Sequence, residues 1–327
     1  MKRLTALLLA FVLCFALCAC TENAQEDNLE KITFVLDWTP NTNHTGVYVA
    51  YALGYYLDEG LAVDIVQPPE DGAPMMVASG RAQYGVSFQE EVAAALTAGE
   101  TLPITTVCAI LQHNTSGVVS FEERGIESFA DLEGKTYASW GIPIYDEILF
   151  DAMRAENGDP SKINIINNTA TDTYAALQTD FDAVWIYYGW DGIIGEQKGY
   201  EINFLPFADA NPVLDYYTPV IVANDTYISE NPESVKAFLR ATAKGYEYAV
   251  AHPEEAAKIL AEAVPELEYD ILLESQKYLS QEYIADAPQW GWIDGERWSR
   301  FNDWMYEKKI TVTSLGANGF TNEYLPQ

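Results

Sequence analysis

One short stretch of the chain, DWTPNTNHTG, combines an acid, an indole ring, amides and an imidazole, all of which can bind small molecules. Asp37, Trp38, Asn41 and His44 lie in it, directly after the apolar run KITFVL. Pro and Asn are ordinary turn residues, but a turn needs neither Trp nor His. A ring that can stack and oxygen atoms that accept hydrogen bonds suit a flat, amine-bearing molecule. The stretch therefore predicts ligand contacts, although its polar residues could equally serve to brace the turn and Trp38 to pack between domains.

Similar residues follow the other segments that the sequence predicts as strands. In an open α/β sheet, ligands bind outside the carboxyl ends of the strands, so the residues just past those ends are the candidates. Trp38 could stack a ring against Tyr188 or Trp190, while Tyr187, Tyr188 and Trp190 cannot all face one cleft. The candidates contain no Lys or Arg, which favours an amine-bearing heterocycle over an anion. They are Ser87, Gln89 and Glu90 in the first half, Ser116 at a crossing, Trp140, Tyr145, Tyr188, Trp190 and Asp191 in the second half, and Tyr216 at the return crossing.

Catalytic and metal-binding chemistry have no matching motif. No G-x-S-x-G pattern surrounds Ser87, and His44, His113 and His252 lack the spacing of metal ligands. Cys108 is the one cysteine beyond residue 20, which leaves no cysteine-based metal site in the body of the chain. We therefore expect a binding protein rather than an enzyme, with no metal and no cofactor.

The N-terminus has the pattern of a bacterial secretory signal. Lys2 and Arg3 precede an unbroken apolar run, which ends in the sequence LCAC at Cys20. This ending resembles a lipobox, in which the cysteine becomes the lipidated first residue of the mature chain. We predict a signal peptide over residues 1–19, lipid attachment at Cys20 and a flexible tether over residues 20–30. An uncleaved anchor or an ordinary signal is the alternative.

The charge balance is strongly acidic. The chain has 49 Asp plus Glu against 18 Lys plus Arg, a formal net charge of −31. Such a surface repels nucleic acid and anionic lipid headgroups. We expect no nucleic-acid partner, and a membrane link that runs through the lipid alone.

Strand-like and helix-like segments alternate along the chain in the order of an α/β protein. Such units predict mainly parallel sheets with helices on both faces. Extended segments near Thr115 and at 216–225 interrupt the alternation and predict two crossings between two lobes, with a cleft between them. We assign residues 31–116 and 223–327 to lobe 1 and residues 117–222 to lobe 2. The C-terminal stripe that we expect to be the buried face of a helix is Trp298, Phe301, Trp304 and Met305.

Nearly the whole chain after the tether resembles one known group. The resemblance is carried, in order, by LDWTPNTNHTGVYVAYALGYYLDEGL, GVSFQEE, SFADLEGKTYASWGIPIYDEIL, AVWIYYGWDGI and VLDYYTPVIVAND. The group comprises ABC-importer substrate-binding proteins for thiamine-precursor pyrimidines, which share a fold with thiamine-pyrimidine synthase. It implies an α/β, type II periplasmic-binding fold and a monomeric, extracytoplasmic lipoprotein on the bacterial cell membrane. It also implies capture of a formylaminopyrimidine or hydroxymethylpyrimidine and its delivery to an ABC permease and its ATPase.

The resemblance leaves other functions open. Riboflavin-like rings, alkanesulfonates and taurine are alternative ligands, since the fold also admits them. The related synthase is an enzyme that makes the pyrimidine from its own histidine and pyridoxal phosphate, but its family carries a cysteine-rich iron motif that this sequence lacks. The motif over 187–191 departs from the family's Gly- and Asn-containing turn with Glu. Asp191 is shorter than Glu, so a related ring could replace the pyrimidine.

Overall fold

The computed structural model describes residues 29–167 and 172–326. The predicted signal peptide and Cys20 lie outside the described residues, and the last residue of the predicted tether, Glu30, already begins the first strand. In the described part, no helix is both long and apolar enough to span a bilayer.

Ten strands of the described residues form two sheets of five. Their bounds are β1 Glu30–Val35, β2 Leu61–Val66, β3 Tyr84–Ser87, β4 Ile104–Ala109, β5 Ser116–Phe121, β6 Thr136–Ser139, β7 Asn164–Asn167, β8 Ala183–Tyr187, β9 Ile202–Pro206 and β10 Val220–Asn224.

Helices cover the faces of the sheets and make up most of the C-terminal third. They are α1 Thr45–Ala52, α2 Tyr55–Asp58, α3 Gly72–Ala78, α4 Gln89–Thr97, α5 Pro143–Ala155, α6 Thr173–Thr179, α7 Ile193–Gln197, α8 Phe207–Ala210, α9 Asp225–Glu230, α10 Pro232–Ala251, α11 Pro253–Ala263, α12 Tyr269–Glu282 and α13 Gly295–Glu307. Single 3₁₀ turns lie at Thr42–His44, Glu122–Arg124, Phe129–Leu132, Pro160–Lys162 and Pro212–Leu214, and a π-helical turn at Tyr188–Gly192.

Each sheet contains one antiparallel strand among parallel ones. The first sheet has the order β2-β1-β3-β10-β4, in which β10 runs antiparallel to both neighbours. The second has the order β7-β6-β8-β5-β9, in which β5 is the antiparallel strand. The expected mainly parallel sheets are therefore mixed, because the strand that follows each crossing inserts into the sheet that the chain has just reached.

The crossings between the two sheets occupy residues 110–115 and 215–219. β5 begins at Ser116, and β10 covers Val220–Asn224 in the first sheet. The predicted lobe boundaries at 116/117 and 222/223 fall on the first residue of β5 and inside β10. The difference arises because an extended crossing segment and the strand that continues it have the same residue pattern.

Close packing of two helices fixes the turn that precedes α1. A Cβ atom at Gly245 in α10 would lie 2.0 Å from the Gly46 carbonyl oxygen, so only glycine permits this approach. The neighbouring Tyr246 stacks on Trp290 and donates a 2.7 Å hydrogen bond to the Asn43 carbonyl oxygen. The DWTPNTNHTG turn is thus held by α10 from behind.

Helix α13 packs into both lobes. Trp298 belongs to a core cluster of the first sheet, whereas Phe301, Trp304 and Met305 join the core of the second. The predicted buried stripe is confirmed, since all four side chains are buried. These three side chains lie in the range predicted for lobe 1, from residue 223 onward, and nevertheless contact the second core, because one helical face is wide enough to touch two cores.

We expect Phe301→Ala to reduce the free energy of unfolding by about 3–5 kcal/mol, because it removes a fully buried ring that stacks on Tyr216. Tyr306→Ala, on the exposed face of the same helix, should change it by less than about 0.5 kcal/mol. Urea denaturation of both variants measures the difference. Equal midpoints would contradict the packing of α13 against the second lobe.

Candidate ligand-binding site

Carboxyl and phenol groups from both lobes meet where the lobes touch. The Tyr145 hydroxyl of α5 donates a 3.3 Å hydrogen bond to Glu90 Oε1 of α4, across the two lobes. Beside it the Phe88 and Tyr187 rings face each other at 6.4 Å between centroids. The cleft cluster, as we call this group, consists of Asp37, Ser87, Glu90, Glu91, Tyr145, Tyr187 and Tyr216.

His44 fixes the position of Asp37. The backbone N–H of Asn41 donates to His44 Nδ1 at 3.1 Å, so that nitrogen carries no proton and Nε2 is the protonated one. Nε2 donates to Asp37 Oδ1 at 2.6 Å. His44 is fully buried, while Asp37 keeps some solvent contact. The imidazole therefore aims the carboxylate rather than facing a ligand itself.

Glu90 is the most strongly perturbed carboxyl of the cleft cluster. Its side chain is 2% exposed, and Oε2 has no hydrogen-bond partner among the described residues. Burial, and to a lesser degree the neighbouring Glu91 carboxylate, raises the pKa of Glu90 to about 8. At neutral pH Glu90 is therefore protonated, and offers one O–H donor together with one acceptor oxygen.

Glu91 lies on the solvent side of the cluster. It is exposed, but surrounding protein raises its pKa, helped by the charge of Asp37 and opposed by a hydrogen bond from Ser87. That bond runs from Ser87 Oγ to Glu91 Oε2 at 3.1 Å. The Glu91 carboxyl thus interacts with both Glu90 and Asp37.

Two indole rings are exposed, one in each lobe. Trp38, next to Asp37, is 49% exposed, and Trp140, at the end of β6, is 41% exposed. Trp140 stands edge-on to Tyr145 with 4.9 Å between centroids and also contacts Trp185. Large exposed rings beside a polar cluster offer flat surfaces to a ligand.

Further buried polar atoms around the cluster have no partner among the described residues. They include the Tyr216 hydroxyl and Trp185 Nε1. Burial raises the pKa of Tyr216, and the Glu90 carboxyl raises it further, which places this hydroxyl near the carboxyl group. Buried donors and acceptors are normally satisfied, so several orphans in one place indicate a missing partner.

Comparison with known proteins identifies the family. Residues 41–256 match the family model described as NMT1/THI5 like. The chain belongs to this family. A formylaminopyrimidine-binding protein of Halalkalibacterium halodurans is 30% identical over 314 residues, covering 93% of this chain and 92% of the relative. A 4-amino-5-hydroxymethyl-2-methylpyrimidine phosphate synthase of Candida albicans is 27% identical, covering 90% and 88%.

A solved structure confirms the predicted fold of this NMT1/THI5-like protein. The periplasmic aliphatic sulphonate binding protein SsuA from Escherichia coli superposes with a TM-score of 0.69 at 17% identity, covering 91% of this chain and 92% of that one. At this identity the likeness concerns the periplasmic-binding fold alone, and the ligand must be judged from the residues of the cleft.

Gln89, Ser116 and Asn41, which the sequence predicts as ligand contacts, have their side chains engaged inside the NMT1/THI5-like protein. Gln89 bonds to the Trp298 carbonyl and to the Tyr217 N–H, and thereby ties α4 to α13 and to the second crossing. Ser116 bonds to Asn114, and Asn41 caps the turn at Thr42–His44. We do not include them among the cleft contacts, because burial and internal bonds leave them no free polar group.

Tyr188, Trp190 and Asp191 lie in the π-helical turn and point to other partners. Tyr188 packs on Phe204 and Tyr278 and bonds to Glu196. Trp190 packs against helices α11 and α12, in a cluster with Leu260, Val264 and Leu272. Asp191 Oδ1 accepts a 3.1 Å hydrogen bond from Thr173, and burial raises its pKa to about 6. The structure therefore does not bring these three side chains into the cleft cluster.

Two cluster members were absent from the predicted set. Glu91 follows Glu90 directly in the first turn of the same helix. Its position near the carboxyl end of β3 could have identified it as a candidate, because ligands bind at that end of the strands. Tyr187 is the last residue of β8, and the sequence could not decide between it and Tyr188. Among the described residues, no group of three or more potential metal-binding side chains is present.

We expect Glu90→Gln to alter how stability depends on pH. Because the pKa of Glu90 is raised to about 8 in the folded protein, its neutral form stabilises the fold fully below about pH 4.5, and this contribution is lost as pH rises to 8. Glutamine cannot ionise, so the variant should gain about 2–4 kcal/mol on wild type between pH 5 and pH 8.

Urea unfolding of wild type and variant across this range measures the difference. Asp191, whose pKa is also raised, contributes in the same direction but is present in both proteins and cancels. Glu255→Gln on exposed helix α11 is the control. Parallel stability curves for wild type and Glu90→Gln would refute a buried, neutral Glu90.

Proposed function

We propose that this chain is the extracytoplasmic substrate-binding protein of an ABC importer. It captures a thiamine-precursor aminopyrimidine, of the formylaminopyrimidine or hydroxymethylpyrimidine type, and delivers it to a permease. The observation that carries the proposal is the buried Glu90 carboxyl, with one unpartnered oxygen, in a cleft bordered by exposed rings from both lobes. The name of the Halalkalibacterium halodurans relative agrees with it.

The edge of an aminopyrimidine is complementary to a protonated carboxyl group. Its ring nitrogen accepts a hydrogen bond, and the amino group on the adjacent carbon donates one. Glu90, protonated at neutral pH, supplies one donor and one acceptor at the same spacing. Such a pair satisfies the orphaned Oε2 and removes the cost of leaving it unbonded, about 1–3 kcal/mol.

Trp38 and Trp140 are the stacking surfaces of the proposed site. They replace the pairing of Trp38 with Tyr188 or Trp190, because the latter two rings pack elsewhere. Each lobe contributes one ring, so a ligand between them favours the closed arrangement of the lobes. Asp37 and Glu91 add acceptors for further N–H groups of the ligand.

The cleft does not suit an anion such as a sulfonate, which several structural relatives are named for binding. The groups that shift the pKa values of Glu90, Glu91 and Tyr187 are carboxyls and hydroxyls, with no Lys or Arg among them. A sulfonate would meet like charges there. The synthase reaction gains no support either, since the histidine beside the cluster, His44, is buried and engaged with Asp37.

Export and membrane attachment belong to the same proposal. We infer a signal peptide over residues 1–19, a lipid on Cys20 and a monomeric mature protein on the outer side of the cell membrane. The support is the sequence pattern of the N-terminus.

A thermal-shift screen tests the ligand class. We expect 4-amino-5-hydroxymethyl-2-methylpyrimidine or its formylamino relative to raise the midpoint, since a ligand at a hundred times its Kd adds about 2.7 kcal/mol. Riboflavin, taurine and nitrate are the comparison compounds. A shift with taurine or nitrate and none with any heterocycle would refute the proposal.

Removal of either indole should weaken binding of the compound that gives the largest shift. We expect Trp38→Ala and Trp140→Ala each to raise its Kd about tenfold or more, which is about 1.4 kcal/mol of lost burial and stacking. Trp38→Phe should retain most of the affinity. Calorimetric titration measures the effect, with Tyr269→Ala, an exposed ring on α12, as the control. Wild-type affinity in both alanine variants would place the ligand elsewhere.

A further inference from the structure

The cleft cluster has an excess of negative groups that the protein itself does not balance. Asp37 receives one hydrogen bond, from a neutral imidazole, and Glu91 receives one from a hydroxyl. The carboxyls also act on one another, since Glu91 raises the pKa of Glu90 and Asp37 raises that of Glu91. A positive charge placed among these carboxylates would reduce their mutual electrostatic repulsion.

Two cations of this region, Arg297 and Lys308, are engaged elsewhere. Arg297 bonds to Asp215 at 3.1 Å and lies over the Tyr217 ring. Lys308 bonds to Asp151 at the far end of α13. Besides burial, the groups that shift the pKa values of Tyr145, Tyr187 and Tyr216 are likewise carboxyls, phenols and one threonine, with no cation among them.

Two unpartnered buried atoms within the cluster indicate that a ligand completes it. Glu90 Oε2 and the Tyr216 hydroxyl belong to side chains that are 2% and 0% exposed, and neither has a partner among the described residues. The exposed faces of Trp38 and Trp140 are the third element. Indole faces attract cations as well as stacking on neutral rings.

We propose that the cleft selects the positively charged form of its heterocycle, so that a cationic amino ring binds more tightly than a neutral ring of the same shape. The inference rests on the proposed function and adds the charge state to the ligand class. Asp37 and Glu91 supply the attraction, His44 holds Asp37 in place, and the indoles provide the surfaces on which the cation lies.

Two probes of similar shape separate charge from hydrogen bonding. 4-Amino-1-methylpyrimidinium carries a fixed positive charge and 4-amino-6-methylpyrimidine is neutral at neutral pH, and both keep the ring nitrogen beside the amino group that pairs with Glu90. We expect the first to displace bound 4-amino-5-hydroxymethyl-2-methylpyrimidine with a Kd at least about tenfold lower than the second. Competition calorimetry at about 0.15 M salt measures both constants and screens attraction from the distant acidic surface.

Variants that remove one carboxylate each test whether the preference for the cationic probe arises in the cleft. Asp37→Asn keeps a group that can pair with His44, and Glu91→Gln keeps the shape of an exposed side chain. Each should reduce the preference for the cation, measured as the ratio of the two dissociation constants, severalfold by weakening binding of 4-amino-1-methylpyrimidinium while changing that of 4-amino-6-methylpyrimidine little. Glu255→Gln, an exposed charge on α11, should leave the ratio unchanged.

The results of these measurements distinguish failure of the charge selection from failure of the proposed function. Equal affinity for the two probes, an unchanged ratio in Asp37→Asn and Glu91→Gln, or an equal fall in Glu255→Gln would overturn the charge selection and leave the proposed function standing. Failure of both 4-amino-5-hydroxymethyl-2-methylpyrimidine and its formylamino relative to bind wild-type protein would instead overturn the proposed function.

Discussion

Burying a carboxyl group away from water costs free energy unless the group is neutral or paired with a partner. The proposed site is organised around one buried carboxyl group, that of Glu90. Glu90 lies in the first turn of α4, directly after β3, which is flanked by β1 and β10 in the first sheet. Successive residues of a helix point about 100° apart, so the first three residues of α4 take three directions. Gln89 turns inward to α13, Glu90 faces Tyr145 of the other lobe, and Glu91 faces solvent.

A shared fold does not imply a shared ligand. The solved sulphonate-binding protein superposes on this chain, yet the carboxyls around Glu90 would oppose a sulfonate. Selectivity must therefore come from the few side chains past the strand ends rather than from the fold. Asp37 illustrates the division, because the turn that holds it is braced by His44, Asn41 and α10 rather than by the ligand.

Local patterns in the sequence predicted more of the fold than of the site. The alternation of strands and helices and the turn at DWTPNTNHTG were visible because each depends on neighbouring residues. The internal role of Gln89 could not be predicted from the sequence. Gln89 and Glu90 are neighbouring polar residues, and only the contact with the distant α13 shows that Gln89 is bonded inside the protein. The prediction that Trp190 and Asp191 face the cleft has a related weakness. A π-helical turn changes the directions of its side chains, and Trp190 packs against helices far along the chain. Long-range packing decided these positions.

The placement of β10 makes the first sheet depend on contacts between distant parts of the chain. Residues 116–206 contain all five strands of the second sheet, so that sheet is continuous in sequence, although its core also takes in residues of α13. The first sheet has a gap between β3 and β4 until Val220–Asn224 arrive from the far side of the second lobe. Its closure joins residues more than a hundred positions apart, a slow kind of contact to form. The sheet beside Asp37 and Glu90 therefore depends on strand pairings that are more distant in sequence than those of the sheet beside Trp140 and Tyr145.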